Sequence, residues 1–349
     1  METKLIKIEN DDYGVLSEAA EIIKQGGLVG MPTETVYGLG ANALDAQACR
    51  KIFEAKGRPG DNPLIIHICD FESLDRYTNI TDDEEKQLVY ELSRAFMPGP
   101  VTMVLPKADI IPAEVTAGLD TVAVRFPVHK AARELIRLSG VPIAAPSANR
   151  SGSPSPTCAK HVMDDLCGKI DMIIDGGNCE IGLESTIIMP KDGKIKLLRP
   201  GAVTEEQLSR FGEVEKDKAI TTKLSSGETP LAPGMKYRHY APAIPLVAVA
   251  GDEERVLEFF EEKLKEGHGV LCFEEQKMRL MKCAYSDRIF SLGSRFDAEE
   301  QGRMLFMQLR RIDNSGLGMV YSVQPDMSGV GLAVYNRLIK ACGFEVIRL

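Results

Sequence analysis

No two of the eight cysteines form a CxxC pair. Neither their spacings nor the placement of the five scattered histidines matches a zinc site. The expectation is reduced thiols filling core space in a cytoplasmic protein, without a structural metal. No apolar run approaches the length of a membrane span, so no membrane partner is expected. Met1 to Asp12 mix polar and charged residues without the apolar stretch of a secretion signal. Basic charge is also short: 42 lysines and arginines face 51 aspartates and glutamates, a net charge of −9. That balance is not the footprint of a dedicated nucleic-acid binder. Internal repeats and low-complexity tracts are missing too.

What remains is an ordinary globular composition, 44% apolar and 27% charged over 349 residues, long enough for two domains. The chain is organised around Lys56 to His67, KGRPGDNPLIIH. Lys56 and Arg58 sit two apart, so in extended backbone both project to one side. Gly57 and Gly60 permit tight bends, and Pro59 and Pro63 stiffen them. Two cations on such a turn suit a polyphosphate or a carboxylate. A solvated basic turn would explain KGR alone, so its neighbours carry the decision.

Upstream, Val15 to Lys24 has helical spacing, and Leu28 to Met31 reads as a buried strand. PTETVYGLGANA follows, placing Thr33, Glu34 and Thr35 at the strand end. GLGANA formally matches GxGxxA and would open the helix from Asp45 to Ala55. A nicotinamide-dependent enzyme is one rival this raises, but the glycines read better as tight-turn residues. Thr81 to Glu84 resembles a capping box for a helix ending at Met97. Val101 to Leu105 and Thr121 to Arg125 read as strands. Thr121, Ala123 and Arg125 share one face of the second. An arginine ending an apolar strand needs an anion, either a ligand or a protein carboxylate. After the strand Val141 to Ala145 comes a serine-rich loop carrying Ser147, Asn149 and Ser155, and Thr157 is placed to cap the next helix.

Residues 185–199 form the clearest hairpin, turning at Asp192-Gly193. Pairs whose numbers sum to about 385 face each other, so Ser185 and Arg199 meet at its open end. Residues 225–245 are rich in Lys236, Tyr237, Arg238, His239 and Tyr240, more than a passive tether requires. We expect this connector to act as a lid. From Leu246 strands and helices alternate regularly to the final FEVIRL, which predicts an open, parallel α/β sheet.

The ordered set PTETVYGLGA, KxR with NPLIIH, MPGPVT, RFP, PSAN, ESTI, LRPG and APGMKYRHYAP resembles the YrdC-like family of threonylcarbamoyl-AMP synthases in its longer, two-domain form. The resemblance implies a YrdC-like α/β domain over 1–210, a twisted mixed sheet with a concave site. A linker or lid over 211–245 and a Rossmann-like domain over 246–349 follow. It implies a nucleotidyltransferase joining L-threonine, bicarbonate and ATP, with Mg2+ on the phosphates and pyrophosphate released. A tRNA threonylcarbamoyl transferase would use the product to modify the adenosine beside the anticodon. By resemblance Thr35, His67, Arg125, Ala145 and Ser185 hold threonine. Lys56, Arg58, Asn62, Thr121, Ser147, Asn149, Ser155, Arg199 and Tyr237 lie on the ATP side, Lys56 and Arg58 being the catalytic pair. The rival from another class is an RNA-binding module without turnover; weak RNA contact is compatible with either.

Overall fold

The computed structural model describes residues 2–9, 12–222, 240–281 and 285–349. Eleven strands form a first sheet: β1 Lys4–Lys7, β2 Val29–Met31, β3 Gly38–Asn42, β4 Ile65–His67, β5 Val101–Pro106, β6 Thr121–Arg125, β7 Ile143–Ala144, β8 Met172–Asp175, β9 Thr186–Lys191, β10 Lys194–Arg199 and β11 Glu213–Lys216. Their order is β1-β8-β2-β3-β7-β4-β6-β5-β9-β10-β11, with parallel and antiparallel neighbours mixed. A second sheet holds β12 Leu246–Ala250, β13 Gly269–Cys272, β14 Ile289–Ser291, β15 Val320–Val323 and β16 Val346–Arg348. Its order is β14-β13-β15-β12-β16, and its neighbouring strands are parallel. Both sheets are of the expected class.

The helices of the first part are α1 Leu16–Lys24, α2 Ala46–Lys56, α3 Glu72–Tyr77, α4 Asp83–Phe96, α5 Ala113–Thr116, α6 Lys130–Ser139, α7 Ala159–Leu166 and α8 Glu205–Leu208. Those of the second are α9 Glu253–Lys265, α10 Glu274–Leu280, α11 Ala298–Asp313 and α12 Gly329–Ala341. Alternation along β6 sorts its side chains as predicted. Val122 and Val124 enter the main core, while Ala123 joins Ile65, Val104, Ile187 and Leu198 in a smaller cluster on the opposite face. The functional residues lie on that second face, beside the smaller cluster.

Several local expectations change. Gly38 and Gly40 are strand residues, not turn residues. A Cβ on Gly40 would lie 2.9 Å from Ile143 Cγ2, so glycine lets β3 press against its neighbours. GLGANA therefore makes no phosphate-binding turn. The KGR segment is not extended: Lys56 ends α2, Gly57 caps it at φ +60°, and the Arg58 amide donates back to the Phe53 carbonyl. Asp82, not Thr81, caps α4, its carboxylate accepting from the Glu85 amide at 2.8 Å. At α7 the cap is Cys158 without a side-chain bond, and the Thr157 amide donates to His161 Nδ1. The first sheet also continues past residue 210, because β11 pairs with β10. The expected linker thus begins after a strand and a short 3-10 turn.

The two sheets share one contiguous hydrophobic core cluster. The loop 176–184 meets α11 at backbone contact: a Cβ on Gly182 (φ +75°) would lie 2.6 Å from Arg303 Cα. Arg310 on α11 also reaches across to Asp165 on α7 at 2.8 Å.

Candidate active site

A cavity of about 70 Å3 opens on the second face of the first sheet. Of the expected residues, Arg58, His67, Arg125, Ala145, Ser147, Ser185 and Arg199 line it. Residues far apart in sequence meet here because the register aligns them. His67 ends β4 directly beside Arg125, which ends β6. Thr102 on β5 stands opposite Arg125, and its hydroxyl lies 2.7 Å from Ser185 Oγ. Pairing in the β9–β10 hairpin follows the predicted sum through Leu197 opposite Ile188. A register shift then sets Arg199 opposite Ile187. From there Arg199 donates through Nε to the Ser185 carbonyl at 3.1 Å and through Nη2 to its hydroxyl at 3.2 Å.

The electrostatics follow from burial. Arg125 Nη2 donates to Glu34 Oε1 at 2.7 Å. Of the two anions considered for Arg125, the protein carboxylate is thus present. Arg125 Nε and Glu34 Oε2 are buried without a hydrogen-bond partner among the described residues. His67 Nδ1 is equally unpartnered, and burial, then Arg125, push the imidazole pKa down to about 3. It is neutral at physiological pH. Burial also lowers the Arg199 guanidinium, to about 10, so it stays charged. Glu184 is held below the usual carboxylate range: burial pushes it up, but Arg337, Arg199 and the Ser155 hydroxyl outweigh burial.

The remaining expected residues stand elsewhere. Thr35 is buried behind the wall, and Thr33, hydrogen-bonded to it at 2.9 Å, faces the cavity. Lys56 is turned away: its ammonium donates to the carbonyls of Ser147 and Asn149. Burial, then Arg58, depress its pKa. Asn149 braces the same loop through the Arg150 and Ser153 carbonyls, and Ser155 donates to Glu184 Oε1 at 2.5 Å. The Asn62 amide is buried with both polar atoms unpartnered among the described residues. Thr121 begins β6, roughly 13 Å from Arg125 at strand rise, so only an extended ligand spans both. Tyr237 and most of the expected lid, residues 223–239, lie outside the described residues. Tyr240 lines the cavity instead and hydrogen-bonds Arg199. Glu184 and Tyr240 are also wall residues; the sequence placed Tyr240 only in the expected lid and gave Glu184 no role. Glu184 opens ESTI and Tyr240 closes YRHY, the two motifs that carried the signal.

Such a sheet, with arginines and hydroxyls converging on a buried cavity, defines an α/β ligand-binding domain joined to a parallel α/β domain. The Sua5/YciO/YrdC family model, described as telomere recombination, matches residues 21–201. The model for the threonylcarbamoyl-AMP synthase C-terminal domain matches 203–343. The threonylcarbamoyl-AMP synthase of Pyrococcus abyssi is 47% identical over 95% of both chains. That of Bacillus subtilis is 45% identical, covering 95% of this chain and 94% of its own. The crystal structure of P. abyssi Sua5 complexed with L-threonine superposes with a TM-score of 0.89 at 43% identity, covering 99% of this chain and 100% of the other. The chain belongs to the Sua5/YciO/YrdC family, in the form that also carries the threonylcarbamoyl-AMP synthase C-terminal domain.

Proposed function

We propose that the protein is a nucleotidyltransferase that makes threonylcarbamoyl-AMP from L-threonine, bicarbonate and ATP. The threonine amine and bicarbonate give a carbamate and water. A carbamate oxygen then attacks the α-phosphorus of ATP, and pyrophosphate leaves. Positioning and charge neutralisation carry such a reaction without a covalent enzyme intermediate. The observation that carries this reading is the pair of open atoms at Arg125 Nε and Glu34 Oε2. A buried unpartnered donor or acceptor costs about 1–3 kcal/mol. A donor on a cation beside an acceptor on an anion suits the carboxylate and amino group of a free amino acid. The relative solved with L-threonine supports that choice.

In this reading Arg125, His67, Ser185, the Ala145 backbone and Thr33, backed by Thr35, surround threonine. Arg58, Ser147 and Arg199 face the phosphates, and the Asn62 amide, unpartnered among the described residues, would hydrogen-bond the nucleotide. Lys56, Asn149 and Ser155 act one layer back, holding the loop and Glu184. Among the described residues no three His, Cys, Asp or Glu side chains gather to hold a metal. Magnesium would then ride on ATP, ligated by phosphate and water, and neutralise phosphate charge. The product would pass to a tRNA threonylcarbamoyl transferase. The test is pyrophosphate release with each substrate omitted in turn. Release is expected only when all three are present, and equal release without threonine overturns the reading.

A further inference from the structure

Arg337 lies on α12 of the C-terminal domain and is 0% exposed. It does not touch the cavity. Its guanidinium spends its donors on one small region of the first domain. Nε donates to Glu184 Oε2 at 3.0 Å and Nη2 to the Glu184 carbonyl at 3.0 Å. Nη1 donates to the Pro200 carbonyl, and at 3.4 Å to Asn336 Oδ1 on its own helix. Glu184 precedes β9 and Pro200 follows β10. The one side chain therefore ties together both strands of the hairpin at its open end. The two residues just inside those ties are Ser185 and Arg199, which face the cavity and bond each other. The second oxygen of Glu184 is held by Ser155, so the carboxylate has a partner on each side.

We propose that Arg337 is a positioning residue for the reaction, through which the C-terminal domain sets the separation and aim of Ser185 and Arg199. The proposal rests on the functional reading above and assigns the second domain a part in it. A planar fork reaches three acceptors in fixed directions, which an ammonium cannot do. An error of about 1 Å in a binding group is enough to cost on the order of 100-fold in rate.

The experiment uses the full chain with Arg337→Gln, Arg337→Lys and Arg310→Gln. The last removes a domain-docking arginine that lies off the cavity. In Arg337→Gln the threonine KM is expected to rise at least tenfold with a fall in kcat, and, because Arg199 faces the phosphates, the nucleotide Kd is expected to rise at least threefold as well. Arg337→Lys, which keeps the charge but not the fork, should match it. Arg310→Gln should lower the melting temperature and leave the threonine KM within about threefold. Wild-type threonine KM in Arg337→Lys, or the same rise in Arg310→Gln, overturns the proposal. Hydrogen exchange provides a readout that does not depend on turnover. Amides 184–186 should exchange faster in Arg337→Gln than in Arg310→Gln, and equal rates overturn the clamp. Absence of threonine-dependent turnover in the wild type would instead overturn the functional reading and leave that exchange comparison to decide the clamp.

Discussion

Arg125 and Glu34 face each other with each side chain 5% exposed, so neither charge can be removed without consequence for the other. Arg125→Ala leaves a buried carboxylate behind and is expected to cost roughly 3–5 kcal/mol of stability. The cleaner probe is Arg125→Lys, which keeps a cation near Glu34 but loses the second donor. We expect it to lower kcat/KM for threonine about 10- to 100-fold, read from initial rates of pyrophosphate release. His67 makes a different prediction. Its folded pKa of about 3 lies below the ordinary 6.5, so between those values the unfolded chain binds more protons. Stability from this group is full above pH 6.5 and falls as pH drops toward 3, with a limiting slope of about 1.4 kcal/mol per pH unit. Denaturant midpoints from pH 7 to pH 4 should fall more steeply for the wild type than for His67→Gln.

At the scale of elements, the β9–β10 hairpin separates stability from chemistry. Asp192 and Gly193 take φ of +50° and +70°, the pair of left-handed residues its turn requires. Gly193→Ala is expected to cost about 1 kcal/mol. It should leave threonine kinetics within twofold, because six strand residues, roughly 20 Å, separate the turn from Arg199. Thermal melts beside turnover assays check both halves. This hairpin was legible because a turn signal sets a register by arithmetic. The alternating strands and helices after Leu246 were legible for a similar reason: periodicity is local. What failed was decided by tertiary contact. β1 is short, with lysines at both ends and only Ile6 half-buried, and carries no buried-strand pattern. Gly38 and Gly40 look like turn residues until Ile143 and Ala145 are packed against them. Lys56 looked like a ligand for phosphate because nothing in KGR reveals that loop carbonyls 91 and 93 residues away take its donors. His67, Arg125, Ser185 and Arg199, which line the cavity, stood out because polar side chains interrupt or end apolar strands. Arg58 follows a helix and Ser147 lies in a loop, so only the family resemblance placed those two in the site. Arg337 was missed because α12 reads as an ordinary apolar helix.

For the whole molecule, the junction of the two domains concentrates cations. Arg199, Arg337 and Lys340 are each no more than 6% exposed, and Glu184 and Asp217 oppose them. Burial, then Arg337 and Arg199, lower the Lys340 pKa to about 7. Below pH 7 both folded and unfolded chains hold this proton, and the folded state bears the full cost of the buried charge. Between 7 and 10.5 the unfolded chain binds more protons, so stability rises with pH. Lys340→Met should therefore gain stability relative to the wild type at pH 6–7, and the gain should shrink toward pH 10. Chemical denaturation across that range is the measurement. The Arg337 clamp also has a consequence in time. Synthesis proceeds from the amino end at about 5–20 residues per second, so roughly 6 to 25 seconds pass between making residue 210 and making residue 337. For that interval the nascent first domain holds Ser185 and Arg199 without the tie between Glu184 and Pro200. The newborn chain is thus expected to use threonine poorly until its last large helix arrives.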